Sequence, residues 1–114
     1  MTSPGFTHLI ADFVGVPDAQ LRDGALISGL LIAAAGAAGF TTSGPPILRL
    51  LPHGGLTGLL LIEGCHITAH TFPDRALLLL DVLAVATHNG QKALDVFARR
   101  LTAREIRSDV RARG

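Results

Sequence analysis

Residues 24–48 contain no charged side chain, and residues 25–40 are almost wholly apolar. A stretch of that kind either crosses a bilayer or is buried against other apolar surface. This run falls short of the ~20 residues that span a membrane, is interrupted by Gly29, Gly36 and Gly39, and lacks a basic cluster on either flank. A buried helix is therefore expected, with no membrane partner. The first residues carry no positive charge and Asp12 interrupts the early apolar stretch, so no signal peptide is expected. The 114 residues suit one domain, 1–114, whose core is large enough to stand without metal or disulfides. A single cysteine cannot form an internal disulfide, which suits a reduced, cytoplasmic setting. The net charge of +1 gives no reason to expect a nucleic-acid partner, although six of the ten basic residues lie at 99–113, because that tail has no interleaved aromatic residues.

Punctuation by proline and glycine divides the chain. Residues 8–14 predict a strand closed by Gly15 and Pro17, then a helix over 19–38 that Asp18 can cap and Gly39 can end. Pro45 and Pro46 resist continued helix, so 47–51 predicts a strand and Pro52-His53-Gly54-Gly55 a turn. Residues 57–63 are apolar at consecutive positions, as in a strand buried on both faces. The segment 65–72 partly alternates, 75–86 is apolar around Asp81, and Asn89 can cap a helix over 90–101 with Leu94, Phe97, Ala98 and Leu101 on one side. An alternating strand over 105–111 closes the chain. The order β-α-β-β-β-β-α-β predicts an α/β (α+β) two-layer sandwich, a mainly antiparallel sheet with two helices on one face. The other face would keep many apolar residues, such as those at 77–80, and a homodimer is expected to cover it.

The chemistry-bearing segment is Gly64-Cys65-His66-Ile67-Thr68-Ala69-His70-Thr71-Phe72-Pro73-Asp74. A lone cysteine in an apolar segment is more often an inert core residue than a nucleophile. His66 and His70, four apart on a strand, share one face while Cys65 takes the other, a poor tetrahedral arrangement, so no metal is expected. Asp81 fits a buried, paired carboxylate. Pro52-His53-Gly54-Gly55 lacks the lysine and helix of a phosphate loop.

The pattern His66-x-Thr68-x-His70-Thr71-Phe72-Pro73-Asp74 resembles the His-x-Thr-x-His-Thr-Trp-Pro-Glu run of the bacterial S-adenosylmethionine decarboxylase proenzymes. The likeness extends from His8-Leu9 and Asp12-Phe13, through Leu51-Pro52 and Thr57-Gly58, to Arg113-Gly114. That family cleaves its own chain to make a pyruvoyl cofactor, decarboxylates S-adenosylmethionine for polyamine (spermidine) biosynthesis, and dimerises with active sites close to the subunit interface. By the resemblance, Gly64-Cys65 is the processing bond and Cys65 the residue whose side chain attacks the preceding carbonyl and yields the pyruvoyl group. His70 matches the histidine that assists processing, Thr57 a hydroxyl-bearing helper serine, and Asp74 a glutamate that binds ribose hydroxyls; with Cys65 these three are expected in one pocket at one end of the third strand. The pyruvoyl carbonyl takes the substrate amine and accepts the electrons released as carbon dioxide leaves.

This sequence departs from the pattern at chemically meaningful places. The family has serine after glutamate at the cleavage site; here stand Cys65 and Gly64. A thiolate is the stronger nucleophile, yet a thioester yields to water more readily than an ester. Glu63 should point to the opposite face of a regular strand, where it cannot replace the lost carboxylate. The family's proton-donor cysteine falls on Val85, leaving His88 as a possible donor, and the ring expected to stack on adenine falls on Leu50 or Leu51. Three readings follow: a self-processing decarboxylase of S-adenosylmethionine or of another amino acid such as ornithine or arginine, an unprocessed, inactive relative serving as a binding or partner subunit, or, last, a small apolar-ligand or membrane-surface protein.

Overall fold

The computed structural model describes residues 4–114; Met1, Thr2 and Ser3, the start of the stretch read above for a signal peptide, lie outside the described residues. Strand β1 (Phe6–Val14) is followed by a short helix α1 (Asp18–Leu21) and the longer α2 (Gly24–Ala38). Strands β2 (Ile47–Leu50), β3 (Leu56–Ile62), β4 (Cys65–Phe72) and β5 (Leu77–Val85) come next, then α3 (Gly90–Arg100) and β6 (Glu105–Arg113).

The helix expected over 19–38 is thus two helices. Pro17, not Asp18, occupies the first N-cap; Asp18 lies in the first turn and pairs with Arg22 at 2.8 Å. Asp23 caps α2, its carboxylate accepting the Leu26 N–H at 3.0 Å. The break coincides with a bond from outside the helix, since the fully buried Thr71 hydroxyl donates to the Leu21 carbonyl at 2.8 Å. At the far end the sequence signal holds. Gly39 takes a left-handed conformation, φ 77°, and the Phe40 N–H closes on the Ala35 carbonyl at 2.9 Å.

One six-stranded sheet runs β2-β3-β4-β5-β1-β6, every neighbouring pair antiparallel. Helix α2 lies chiefly over β3 and β4, and α3 over β5 and β1. Beneath them Ile62, Ile67, Leu78, Leu80 and Phe13 are buried, and Phe13 packs on Phe97 of α3 with ring centroids 6.3 Å apart. Helix α2 comes so close to β3 that a Cβ on Gly58 would stand 3.0 Å from the side chains of Leu31 and Leu48. Thr71 locks the layers together by also accepting the Leu56 N–H at 2.8 Å.

The opposite sheet face carries no helix. Strand β3 is therefore buried on one side only, contrary to its consecutive apolar pattern: Leu59 is half-buried and Leu61 is 45 % exposed. Across the same face lie Ile47, Leu79, Leu83 and Ile10, interspersed with His66, His70, His8, Asp81 and Asp12. Asp81 is not a buried carboxylate. Its side chain is 42 % exposed and stands 3.8 Å from the Nε2 of His8, a buried atom without a hydrogen-bond partner. Among the described residues no helix is long and apolar enough to cross a membrane.

Two substitutions measure this framework. Phe97→Ala empties the α3–β1 contact and should lower unfolding free energy by about 3–5 kcal/mol in denaturant titration. Thr71→Val keeps the shape but leaves the Leu56 N–H and Leu21 carbonyl unpaired, at about 1–3 kcal/mol for each buried group.

Candidate active site

The link between β3 and β4 is a two-residue turn, Glu63-Gly64, with φ of 49° and 78°. Positive φ at both central residues is the turn whose twist matches an antiparallel hairpin, and glycine suits the second position because a side chain there would be strained. The turn sets Ile62 opposite Cys65 and Thr57 opposite His70. Glu63 is consequently not the last residue of a strand, as the sequence suggested. Its carboxylate reaches sideways and is held twice, with Oε1 accepting the Thr41 N–H at 2.9 Å and Oε2 lying 2.9 Å from His88 Nδ1.

Cys65 begins β4 on the helix-covered face and is buried, at 7 % exposure. It borders an open cavity of about 330 Å³ that is also lined by Phe6, Gly64, Leu83 and Arg113. A Cβ added to Gly64 would meet nothing within 4 Å, so the peptide bond before Cys65 lies at an uncrowded tip. These features leave room for a pyruvoyl group at residue 65 and for the separated chain end beside it.

His70 lies on the open face, five residues along β4. Its Nδ1 is 3.1 Å from the Thr57 hydroxyl, a pair the resemblance brought together and the sheet register supplies directly. Cys65 does not join them in this protomer. At ~3.4 Å per residue the separation along the strand is about 17 Å, and the two side chains take opposite faces. The expectation of one pocket holding Cys65, His70, Thr57 and Asp74 is thereby corrected: an odd number of steps along a strand changes face.

Asp74 is exposed on a 3₁₀ turn, Pro73–Arg75, just past the His70 end of β4. Leu51 is half-buried at that same end, its N–H donating to the Gly55 carbonyl at 2.8 Å. Residue 51 offers no ring, but His53 stacks on Phe72 nearby, centroids 6.3 Å apart and planes 13° from parallel. The sequence carries no local signal for that stack, because its members are nineteen residues apart and the proline-glycine turn brings them together.

His88 belongs to the Cys65 end. It follows β5 just before the N-cap Asn89, and its ring packs against Phe40 with centroids 5.5 Å apart. Val85, the last residue of β5, is at this end too. On the exposed strand β6 the hydrogen bond from Arg107, reinforced by its charge, lowers the Glu105 carboxyl, and Glu105 raises Arg107 in return. Among the described residues no group of three or more His, Cys, Asp and Glu side chains is disposed to hold a metal ion.

The geometry resembles that of known proteins along nearly the whole chain. The S-adenosylmethionine decarboxylase family model matches residues 7–114. An S-adenosylmethionine decarboxylase proenzyme from Archaeoglobus fulgidus is 28 % identical over 108 residues, covering 94 % of this chain and 96 % of that one. A proenzyme of the same name from Aquifex aeolicus is 30 % identical over 108 residues, 94 % of this chain and 79 % of its own. The crystal structure of the adenosylmethionine decarboxylase from Aquifex aeolicus superposes with a TM-score of 0.88 at 26 % identity, over 99 % of this chain and 93 % of that one. With a family match over residues 7–114 and a six-stranded sheet that superposes on a solved adenosylmethionine decarboxylase, the chain belongs to the S-adenosylmethionine decarboxylase family.

Proposed function

We propose that the protein cleaves itself between Gly64 and Cys65 and uses the resulting pyruvoyl group to decarboxylate S-adenosylmethionine, the step that feeds spermidine synthesis. The observation that carries this is the placement of the Gly64–Cys65 bond on a tight, uncrowded turn beside the cavity of Phe6, Leu83 and Arg113. The Cys65 thiol is the nucleophile toward the Gly64 carbonyl. The pyruvoyl carbonyl, once present, serves as the electron sink for carbon dioxide loss. In this reading Asp74, exposed on its 3₁₀ turn, binds the ribose hydroxyls, and Leu51, beside the His53–Phe72 stack, borders the adenine end. Val85 has no proton to give, so protonation of the decarboxylated carbon falls to His88 or to water. A free thiol as nucleophile suits a reduced, cytoplasmic compartment.

The distance between Cys65 and the His70–Thr57 pair gives the dimer a catalytic meaning. A two-fold axis lying between two stacked open faces and across their strands sets the His70 end of one protomer against the Cys65 end of its partner. The exposed Ile10, Leu61 and Ile47 give that face the apolar surface such stacking needs. The site is then assembled from both copies, with no nucleic acid, membrane or metal required.

Intact mass of the purified chain tests processing. Native protein should appear as fragments 1–64 and 65–114 with a blocked new N-terminus, Cys65→Ala should stay whole, and Cys65→Ser should cleave through an ester. An uncleaved chain in both native and serine forms would favour an inactive partner subunit. The dimer is tested by sedimentation: native protein should sediment as a dimer at micromolar concentration, and Ile10→Arg, which places a charge in the stacked face, should shift it to monomer.

A further inference from the structure

The five histidines divide between the two ends and faces of the sheet, and only His88 is both braced and polarised beside the processing bond. The carboxylate of Glu63, the residue before Gly64, holds its Nδ1 at 2.9 Å, and Phe40 packs against the ring. The pair is shielded, with side-chain exposures of 33 % for His88 and 16 % for Glu63. A carboxylate oxygen only accepts, so Nδ1 is the donor and the Nε2 lone pair is left free to take a proton. Glu63 cannot turn away, because its other oxygen holds the Thr41 N–H at 2.9 Å. Maintaining a glutamate at φ 49° is unfavourable by itself, and these two bonds hold it there.

Resting on the self-cleavage read above, we propose that His88 is the base for the acyl shift at Gly64–Cys65 and that Glu63 is the residue that positions it. His88 Nε2 takes the proton of the Cys65 thiol, and Sγ forms a bond to the Gly64 carbonyl carbon. The Gly64–Cys65 carbon–nitrogen bond then breaks and the proton passes from His88 to the freed Cys65 nitrogen. The step is an isomerisation to a thioester and needs no oxidant, reductant or second substrate. His70, on the opposite face, is left for the later removal of the Cys65 Cα proton. The carboxylate lost with Gly64 thus has a counterpart one residue earlier, brought to the cleavage site by the turn.

Glu63→Gln separates this role from a merely structural latch. Its amide keeps both bonds: the oxygen must still accept from the Thr41 N–H, which turns the NH₂ group toward His88 and forces Nδ1 to accept. The ring proton moves to Nε2 and the base is blocked while the fold stays intact. Ring ¹⁵N shifts should therefore report Nδ1–H in the uncleaved native or Cys65→Ala background and Nε2–H when Glu63→Gln is added. Precursor cleavage, followed by intact mass, should slow by roughly 10²-fold or more in Glu63→Gln and in His88→Gln, with thermal midpoints close to native. Cleavage of both variants at the native rate would overturn the assignment and leave self-processing standing. If native chain does not cleave at all, self-processing fails on its own, and alkylation of Cys65 by iodoacetamide decides the pair. The native thiol should then react at least about tenfold faster than in either variant, and equal rates would overturn the proposal.

Discussion

A two-residue turn decides what every side chain of the central hairpin does. With Glu63 and Gly64 both left-handed, β3 and β4 meet in one register only, and that register faces Cys65 toward the helices and His70 toward the open sheet. A slip of a single residue would exchange the faces, placing Ile67 and Ala69 in solvent and His66 and His70 under α2. Burial of Ile62, Ile67 and Leu80 therefore defends the position of the chemistry as much as the stability of the fold. The packed layer also explains why a buried threonine is present: Thr71 fills a core position while joining α1, β3 and β4 through two hydrogen bonds.

Much of the architecture was legible because its signals are local. Pro45-Pro46, Gly39, Asn89 and the Pro52–Gly55 turn each mark a boundary through backbone geometry that needs no tertiary partner, and the β-α-β-β-β-β-α-β order follows from them. What was missed depends on the third dimension. The break before α2 coincides with Thr71 binding the Leu21 carbonyl from fifty residues away, which periodicity cannot reveal. The exposed side of β3 is hidden in the sequence because an apolar strand face left open has the same composition as a buried one. Of the site, the Thr57–His70 contact and the Gly64–Cys65 peptide follow from a family-like pattern, but alternation already set Cys65 and His70 on opposite faces. Their expected meeting in one pocket disregarded that parity. Glu63 differs for the converse reason: the sequence continues the strand to 63, whereas the chain turns there.

These corrections point to one organisation. A buried cysteine at one end of the sheet, a histidine–hydroxyl pair at the other and an uncovered apolar face between them are unrelated features in a single protomer. In the proposed dimer, two protomers stacked with opposed strand directions would make them one site, and the same contact would remove the exposed apolar surface from water. Catalysis and association would then rest on the same residues, so that a dissociated protomer is both sticky and chemically incomplete.

The most direct test is subunit complementation. Chains carrying His70→Ala and chains carrying Cys65→Ala are expressed together and the mixed dimer isolated through distinct tags. The account predicts that the His70→Ala chain, defective in its own homodimer, acquires a pyruvoyl-blocked fragment 65–114 when its partner supplies an intact His70. Absence of that fragment in the mixed dimer, while native protein forms it under the same conditions, would contradict a site shared between the two copies.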